Sequence, residues 1–355
     1  MAAPIVGRSG ARRGGSGTVL WHARGVAESE TLGVLAHRGG LVVERPELSV
    51  GVVRAVSRPR GLEVELLARR PLDRRSATER QADIRAGRGV APASPRRLLP
   101  RFDEGTDLRV GWLDHDGQPH WEFGSLSSNS GDAAGGTLGP SLRTVLDLPP
   151  LFDHVSLVLA WPEIGFPETV VGLTLPDRAT VERDTVSIWR APLDARRAPN
   201  LRIRSFAAFP PGDVAPEAGR IVAGPRVLSR GDRAVVVLTR LTAVGPALSM
   251  EVLSVAEEHV ADAVAAAELD PGGGSFGGFD APVGPGASVA VVGDGGGAWL
   301  PVLEGQSASG AGAYRGTAEF LLSRPDDDVL ALVVAWPAAD LPDVRLDIPL
   351  PFVAP

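Results

Sequence analysis

A chain of 355 residues, 44% of them hydrophobic, is longer than one core usually supports and carries apolar material enough for two. It has no cysteine and no lysine, all 36 basic residues being arginine. Disulfides, thiolate metal sites, cysteine nucleophiles, Schiff-base lysines and phosphate-loop lysines are therefore excluded. A net charge of −7 is the wrong sign for a general nucleic-acid binder.

In chain order, residues 1–17 are small, polar and basic and are expected as a disordered tail. The opening stretch MAAPIVGRSGARRGGSGTVLW lacks the apolar core of a secretory signal, and no window approaches the ~18–20 apolar residues of a membrane span. The expected location is the cytoplasm, without membrane insertion. Thr18 to Arg24 and Gly40 to Arg45 are candidate strands. Glu47 to Val56 and Gly61 to Ala68 alternate and are split by Arg58-Pro59-Arg60-Gly61, a hairpin signal. The stretch 73–86, DRRSATERQADIRA, is charged all round, as a solvated helix or loop would be. Leu108 to Trp121 predicts strand, glycine turn, strand; Ser125 to Gly139 is a Gly/Ser loop.

Leu151 to Pro176 then opens a unit that returns as Asp326 to Pro351. Nine of 26 positions match, Trp161-Pro162 with Trp336-Pro337 among them. Each copy reads as a buried strand ended by proline, a short corner, and a half-buried strand of period two. Val344, Leu346, Ile348 and Leu350 face inward in one copy; Thr169, Val171, Leu173 and Leu175 do so in the other. In the first copy Asp177 caps a short helix expected to run to Trp189. Beyond it, Ala191 to Pro225 is rich in proline and arginine, with one candidate strand, Leu201 to Phe206. Asp232 to Val244 and Ala247 to Val255 form a second hairpin around Gly245-Pro246; an alanine-rich helix, Glu257 to Leu269, follows. Ala287 to Leu300 repeats the strand–turn–strand pattern.

The expected fold is all-β: two tandem antiparallel β-sandwich domains related by internal duplication, with short helical inserts. The first spans residues 18–190, a linker 191–220, the second 221–355. Charge is uneven between the halves: residues 1–190 hold 24 arginines against 23 acids, residues 191–355 hold 12 against 20.

Motifs that carry chemistry are few. Val289 to Ala298, VAVVGDGGGA, imitates a dinucleotide fingerprint, but Trp299-Leu300-Pro301 follows where a helix N-terminus is needed. Asp114, His115, Asp116 and His120 could hold a metal or run acid–base chemistry; they also straddle a predicted turn, where such residues serve the backbone. His154 is expected at a strand edge. Trp112 and Trp121 are candidates for carbohydrate stacking. Arg230-Gly231-Asp232 spells an integrin-type triplet at a turn, and Asp326-Asp327-Asp328 a solvated one. Arg54, Arg58, Arg60, Arg69 and Arg70 lie in the densest basic stretch. They fit a solvated hairpin edge, or a surface for an anionic protein partner such as the acidic second domain of another copy. Trp161 and Trp336 are expected as structural anchors.

The apolar strand, Trp-Pro corner and second proline resemble a unit carried singly by small β-rich proteins of high-GC bacteria. The resemblance covers roughly Leu41 to Trp189 and Ile221 to Pro355; it implies no activity and brings no catalytic residues. The expected function is a non-catalytic structural or protein-interaction module without a cofactor. The alternative is a small-ligand or metal-dependent site at the His115 turn.

Overall fold

The computed structural model describes residues 18–19, 30–87, 98–99, 108–122, 125–129, 138–198, 203, 205–210, 212–269, 286–293, 296–310 and 312–351. The tail at 1–17 and most of Thr18 to Arg24 lie outside them. In chain order the first half carries β1 (Thr18–Val19), β2 (Thr31–Leu32), β3 (Val34–His37), β4 (Gly40–Arg45), β5 (Leu48–Arg58), β6 (Gly61–Arg69), α1 (Ala77–Arg85), β7 (Arg109–Leu113), β8 (Pro119–Glu122), β9 (Ser125–Asn129), β10 (Ser141–Leu148), β11 (His154–Trp161), β12 (Phe166–Thr174), α2 (Arg178–Asp184) and β13 (Val186–Ser187). The second carries β14 (Arg196–Arg197), β15 (Ser205–Phe206), β16 (Arg220–Ala223), β17 (Arg226–Arg230), β18 (Ala234–Val244), β19 (Ala247–Glu257), α3 (Glu258–Leu269), β20 (Ser288–Gly293), β21 (Gly296–Trp299), β22 (Val302–Gly310), β23 (Ala313–Ser323), β24 (Val329–Trp336) and β25 (Leu341–Pro349). The fold is all-β.

The chain forms two compact units. One comprises Met1–Trp21, Ala77–Phe123 and Ser156–Gly172; the other comprises His22–Ser76, Gly124–Val155 and Leu173–Pro355. The first unit is built on the small sheet β1-β8-β7-β11-β12. Leu99, Trp121, Val158 and Ala160 pack together in it.

The second unit holds both large sheets. One runs β3-β5-β6-β10-β9 with β4 also on β5; the other runs β16-β18-β19-β23-β22 with β17 also on β18. These are the same strand orders, and the small sheet β14-β25-β24-β20-β21-β15 repeats the order of the first unit's sheet with one strand added. Even the parallel edge pair recurs, β1 on β8 and β15 on β21. In the second half the two sheets form a sandwich. Leu238, Met250, Val252 and Phe320 of the large sheet bury against Leu332, Val334, Trp336 and Ile348 of the small one.

Local chemistry explains the elements. Arg58 pairs with Gly61 and Val244 with Ala247, so both predicted two-residue hairpin turns form. β25 alternates buried and exposed as its sequence predicts; in β12 only Leu173 of the four expected inward residues is fully buried, with Leu175 just beyond it. Asp177 caps α2 by accepting a hydrogen bond from Thr180 N at 2.9 Å. That helix ends at Asp184 rather than Trp189, because Val186–Ser187 pairs with β2 instead of continuing the coil. The Gly/Ser stretch begins not as loop but as β9, whose backbone pairs with β10. Sheet pairing overrides weak strand propensity there. Residues 191–220, read as a linker, contribute β14 and β15 to the edges of the second small sheet. No helix among the described residues is long and apolar enough to cross a membrane.

Candidate functional site

The His115 turn forms as a hairpin between β7 and β8. Asp114 Oδ1 accepts from Asp116 N at 3.0 Å and from Gln118 N at 2.8 Å, and Gly117 adopts φ 74°. Asp114 Oδ2 bonds His120 Nε2 at 2.8 Å. That hydrogen bond and those from the backbone hold the Asp114 carboxyl below its ordinary value. His120 stacks on Trp112, ring centroids 4.4 Å apart. The structure therefore brings Asp114 and His120 together as a built turn, with His115 outside it, 3.2 Å from Asp116 and almost fully exposed. Ligand atoms of Asp114, His115 and Asp116 lie within 4.8 Å of one another. His154 is exposed at the start of β11.

Other motifs resolve into structure. Trp112 pairs with His120 across the hairpin while Trp121 pairs with Gly111, so the two tryptophans occupy opposite faces and both are buried. They share no stacking platform, because residues one register step apart alternate faces. β20 passes into β21 and not into a helix, so the glycine-rich stretch lacks a phosphate-binding N-terminus. Arg230 donates to the carbonyls of Ile188 and Ala191, which ties the first residue of the Arg-Gly-Asp triplet to its own chain. Asp326, Asp327 and Asp328 are exposed. Trp161 is buried at 7% exposure and Trp336 completely.

The arginines expected at a solvated edge divide. Arg60 and Arg70 are exposed. Arg54, Arg58 and Arg69 are partly buried and do not sit on an edge, since β5 and β6 are central strands with β10 beyond β6. Arg69 makes a two-pronged ion pair with Glu217 on the 3₁₀ turn Pro216–Ala218. Gly51 lets that turn approach: a Cβ there would lie 1.9 Å from the Glu217 carbonyl oxygen.

Arg54 belongs to a charged layer between the two large sheets of the second unit. It contacts Glu63 at 2.5 Å and Glu65 at 3.4 Å on its own hairpin, and Glu251 of β19 at 2.7 Å. Arg240, fully buried, reaches Glu319 at 3.1 Å and Glu251 at 3.6 Å. Arg143 spans Glu65 and Glu319, each at 3.2 Å. Ser249 donates to Glu319 at 2.8 Å and Thr239 to Glu251 at 2.6 Å. Burial alone would raise the Glu251 carboxyl. The Arg54 and Arg240 guanidiniums and the Thr239 hydroxyl prevail and hold it down to about 2. Arg54 is likewise desolvated, yet Glu251, Glu63 and Glu65 raise it above the ordinary guanidinium value. Arg54 and Arg69 thus each reach a carboxylate in the second half of the same chain, Glu251 and Glu217, while Arg54 and Arg58 also pair with Glu63.

The two halves place the arginines of this layer alike. A β-bulge precedes Arg54 in β5 and Arg240 in β18, and each arginine pairs in register with a glutamate, Glu65 or Glu251. Both glutamates stand eleven residues after their arginine. That common spacing was the available signal for Arg240, Glu251 and Glu65. Nothing comparable marks Arg143 or Glu319, which are defined only by sheet packing.

One further surface is open. β22 is the edge strand of its sheet and all nine residues are exposed, Val302 and Leu303 by more than half.

The fold and these sites define an all-β protein with a buried charge layer. No protein-family model matches the chain, and no curated protein sequence matches it. Among solved structures, a conserved domain protein from Bacillus anthracis is similar at TM-score 0.19 and 11% identity, over 87% of this chain and 78% of that one. Bovine butyrophilin is similar at TM-score 0.17 and 10% identity, over 81% and 91%. The N-terminal periplasmic domain of ScsB from Proteus mirabilis gives TM-score 0.20 and 11% identity, over 88% and 99%. Likenesses this weak carry no functional argument.

Proposed function

We propose that the chain is a non-catalytic structural or protein-interaction module of the cytoplasm, built by duplication of one β-unit. The common strand orders of the two halves support the duplication, as do the twin bulge and Arg–Glu pair. The charge layer supports a structural role, since its ionisable groups neutralise one another inside the protein.

The interaction reading is carried by β22. Among the described residues its outer backbone groups meet no further strand of its sheet, and Glu304 is the one charged residue of the strand. Natural edges are usually guarded by charge, proline or a cover, so an unguarded edge is suited to receive a partner's strand. Affinity capture on the purified full-length protein tests this. A stoichiometric protein partner is expected, a second copy of this chain included. Ala308→Lys, which places a charge on the exposed edge, is expected to weaken capture at least tenfold. Full retention by that variant counts against the edge. Arg60→Ala and Arg70→Ala test whether the exposed basic residues contribute.

A second reading, a metal-dependent site at the His115 turn, is favoured by the closeness of Asp114, His115 and Asp116. Saturable zinc or calcium binding that is lost in His115→Ala would establish it. A titration with no heat and no thermal shift would remove it.

A further inference from the structure

The second-half sandwich contains a cavity of about 340 Å³ outside the charge layer, lined in part by Val302, Gly305, Gln306 and Ser307 of β22. Its volume lies at the lower end of the range of about 300–1,000 Å³ typical of small-molecule sites. Leu300, Pro301, Val302 and Phe320 give it apolar walls, and Phe206, 63% exposed, stands at its mouth on β15. No charged residue lines it among the described residues.

Two hydroxyls meet in this apolar setting. Tyr314 is 2% exposed, its ring packed against Trp336 with centroids 5.9 Å apart. Its hydroxyl passes over Gly316, where a Cβ would come within 2.5 Å of it. It makes no hydrogen bond among the described residues. Ser254, also 2% exposed, accepts from Ala287 N at 3.0 Å, which leaves its own proton to donate. A Cβ placed on Gly286 would lie 3.6 Å from Ser254 Oγ and 3.9 Å from the Tyr314 oxygen, so both groups face the same space. Both hydroxyls open into the cavity, where their protons are placed for a ligand acceptor. Burial, and secondarily the Glu268 carboxylate, push the phenol up to about 12, so it is a neutral donor throughout the physiological range.

We propose that this cavity binds a small, uncharged, mainly apolar molecule bearing one oxygen acceptor, of the ketone, ester or amide class. Tyr314 and Ser254 donate to the acceptor; the apolar walls take the remainder. A carboxylate is disfavoured because no cation lines the site among the described residues and the charge acting on Tyr314 is the anionic Glu268.

Ligand-observed NMR titration of the full chain tests this with three probes of similar shape: acetophenone, ethylbenzene and benzoate. Acetophenone is expected to bind at least tenfold more tightly than either of the others. Tyr314→Phe keeps the ring against Trp336 and removes only the hydroxyl. It is expected to weaken acetophenone about tenfold and leave ethylbenzene unchanged. Val302→Glu at the mouth, already half exposed, is expected to abolish both while near-UV circular dichroism stays native. Absence of saturable acetophenone binding, equal affinity for benzoate, or an acetophenone affinity unaltered in Tyr314→Phe would overturn the proposal.

Discussion

Arg240→Met probes the charge layer at its most buried point. Arg240 is 0% exposed and serves two carboxylates, Glu319 at 3.1 Å and Glu251 at 3.6 Å. Methionine keeps most of the length and apolar volume, so packing changes little and the lost charge dominates. Removing one partner of a buried ion pair costs about 3–5 kcal/mol. Each stranded carboxylate keeps one other arginine, Arg143 for Glu319 and Arg54 for Glu251, which places the expected loss at the lower end, about 3 kcal/mol. Urea unfolding followed by tryptophan fluorescence would read this at pH 7 as a midpoint lowered by about 1 M or more. The pH dependence separates a charge effect from a packing effect. In the wild type, Glu251 stays ionised down to about 2, so its pairs with Arg54 and Arg240 persist at pH 4. Without Arg240 both carboxylates take up protons more readily in the folded state, which relieves their repulsion. The gap between variant and wild type is therefore expected to narrow as the pH falls from 7 to about 4. A loss below about 1 kcal/mol at pH 7, or a gap that does not change with pH, would refute the charge argument.

Wild-type stability itself is expected to fall between about pH 4.5, the ordinary value of Glu251, and about 2, its folded value. A depressed carboxyl contributes above its unfolded pKa and loses that contribution as the pH drops; here it amounts to about 3 kcal/mol, measurable by urea titration across that window. Gly51→Ala drives a methyl into the Glu217 carbonyl and should cost about 3 kcal/mol, whereas a surface Gly→Ala in an extended strand would not destabilise; equal midpoints would deny the close approach. Trp336→Ala empties a fully buried site in the sandwich core, and calorimetry should show a loss of about 3–5 kcal/mol. Asp177→Ala removes the cap of a seven-residue helix and is expected to cost about 1 kcal/mol, read from the same urea transition.

Local patterns in the chain carried most of the fold. Proline after Trp161 and Trp336 ends a strand because it has no N–H to give a ladder, whatever surrounds it. The Arg58–Gly61 and Gly245-Pro246 turns, the alternation of Val344 to Leu350 and the Asp177 cap are likewise properties of a few adjacent residues. Where pairing overruled propensity, the sequence pointed elsewhere. Ser125–Asn129 is serine-rich yet becomes β9 beside β10, and the chain after Asp184 leaves its helix to pair with β2.

The same limit governs the candidate sites. Arg54 and Arg60 are six residues apart in one basic run and cannot be told apart by composition. One meets Glu251, nearly two hundred positions away, and the other faces solvent. Tyr314, the only tyrosine in the chain, gains its meaning from Gly316 beside it and Ser254 on the neighbouring strand. The sequence alone determined the all-β class, the hairpins, the Trp-Pro corners and the absence of thiol and lysine chemistry. These depend on covalent geometry and on contacts between near neighbours. Tertiary structure alone decided which charges were buried, which strand was left as an edge and which hydroxyls shared a cavity. Burial and Coulomb interaction depend on distance in space, which chain position does not encode.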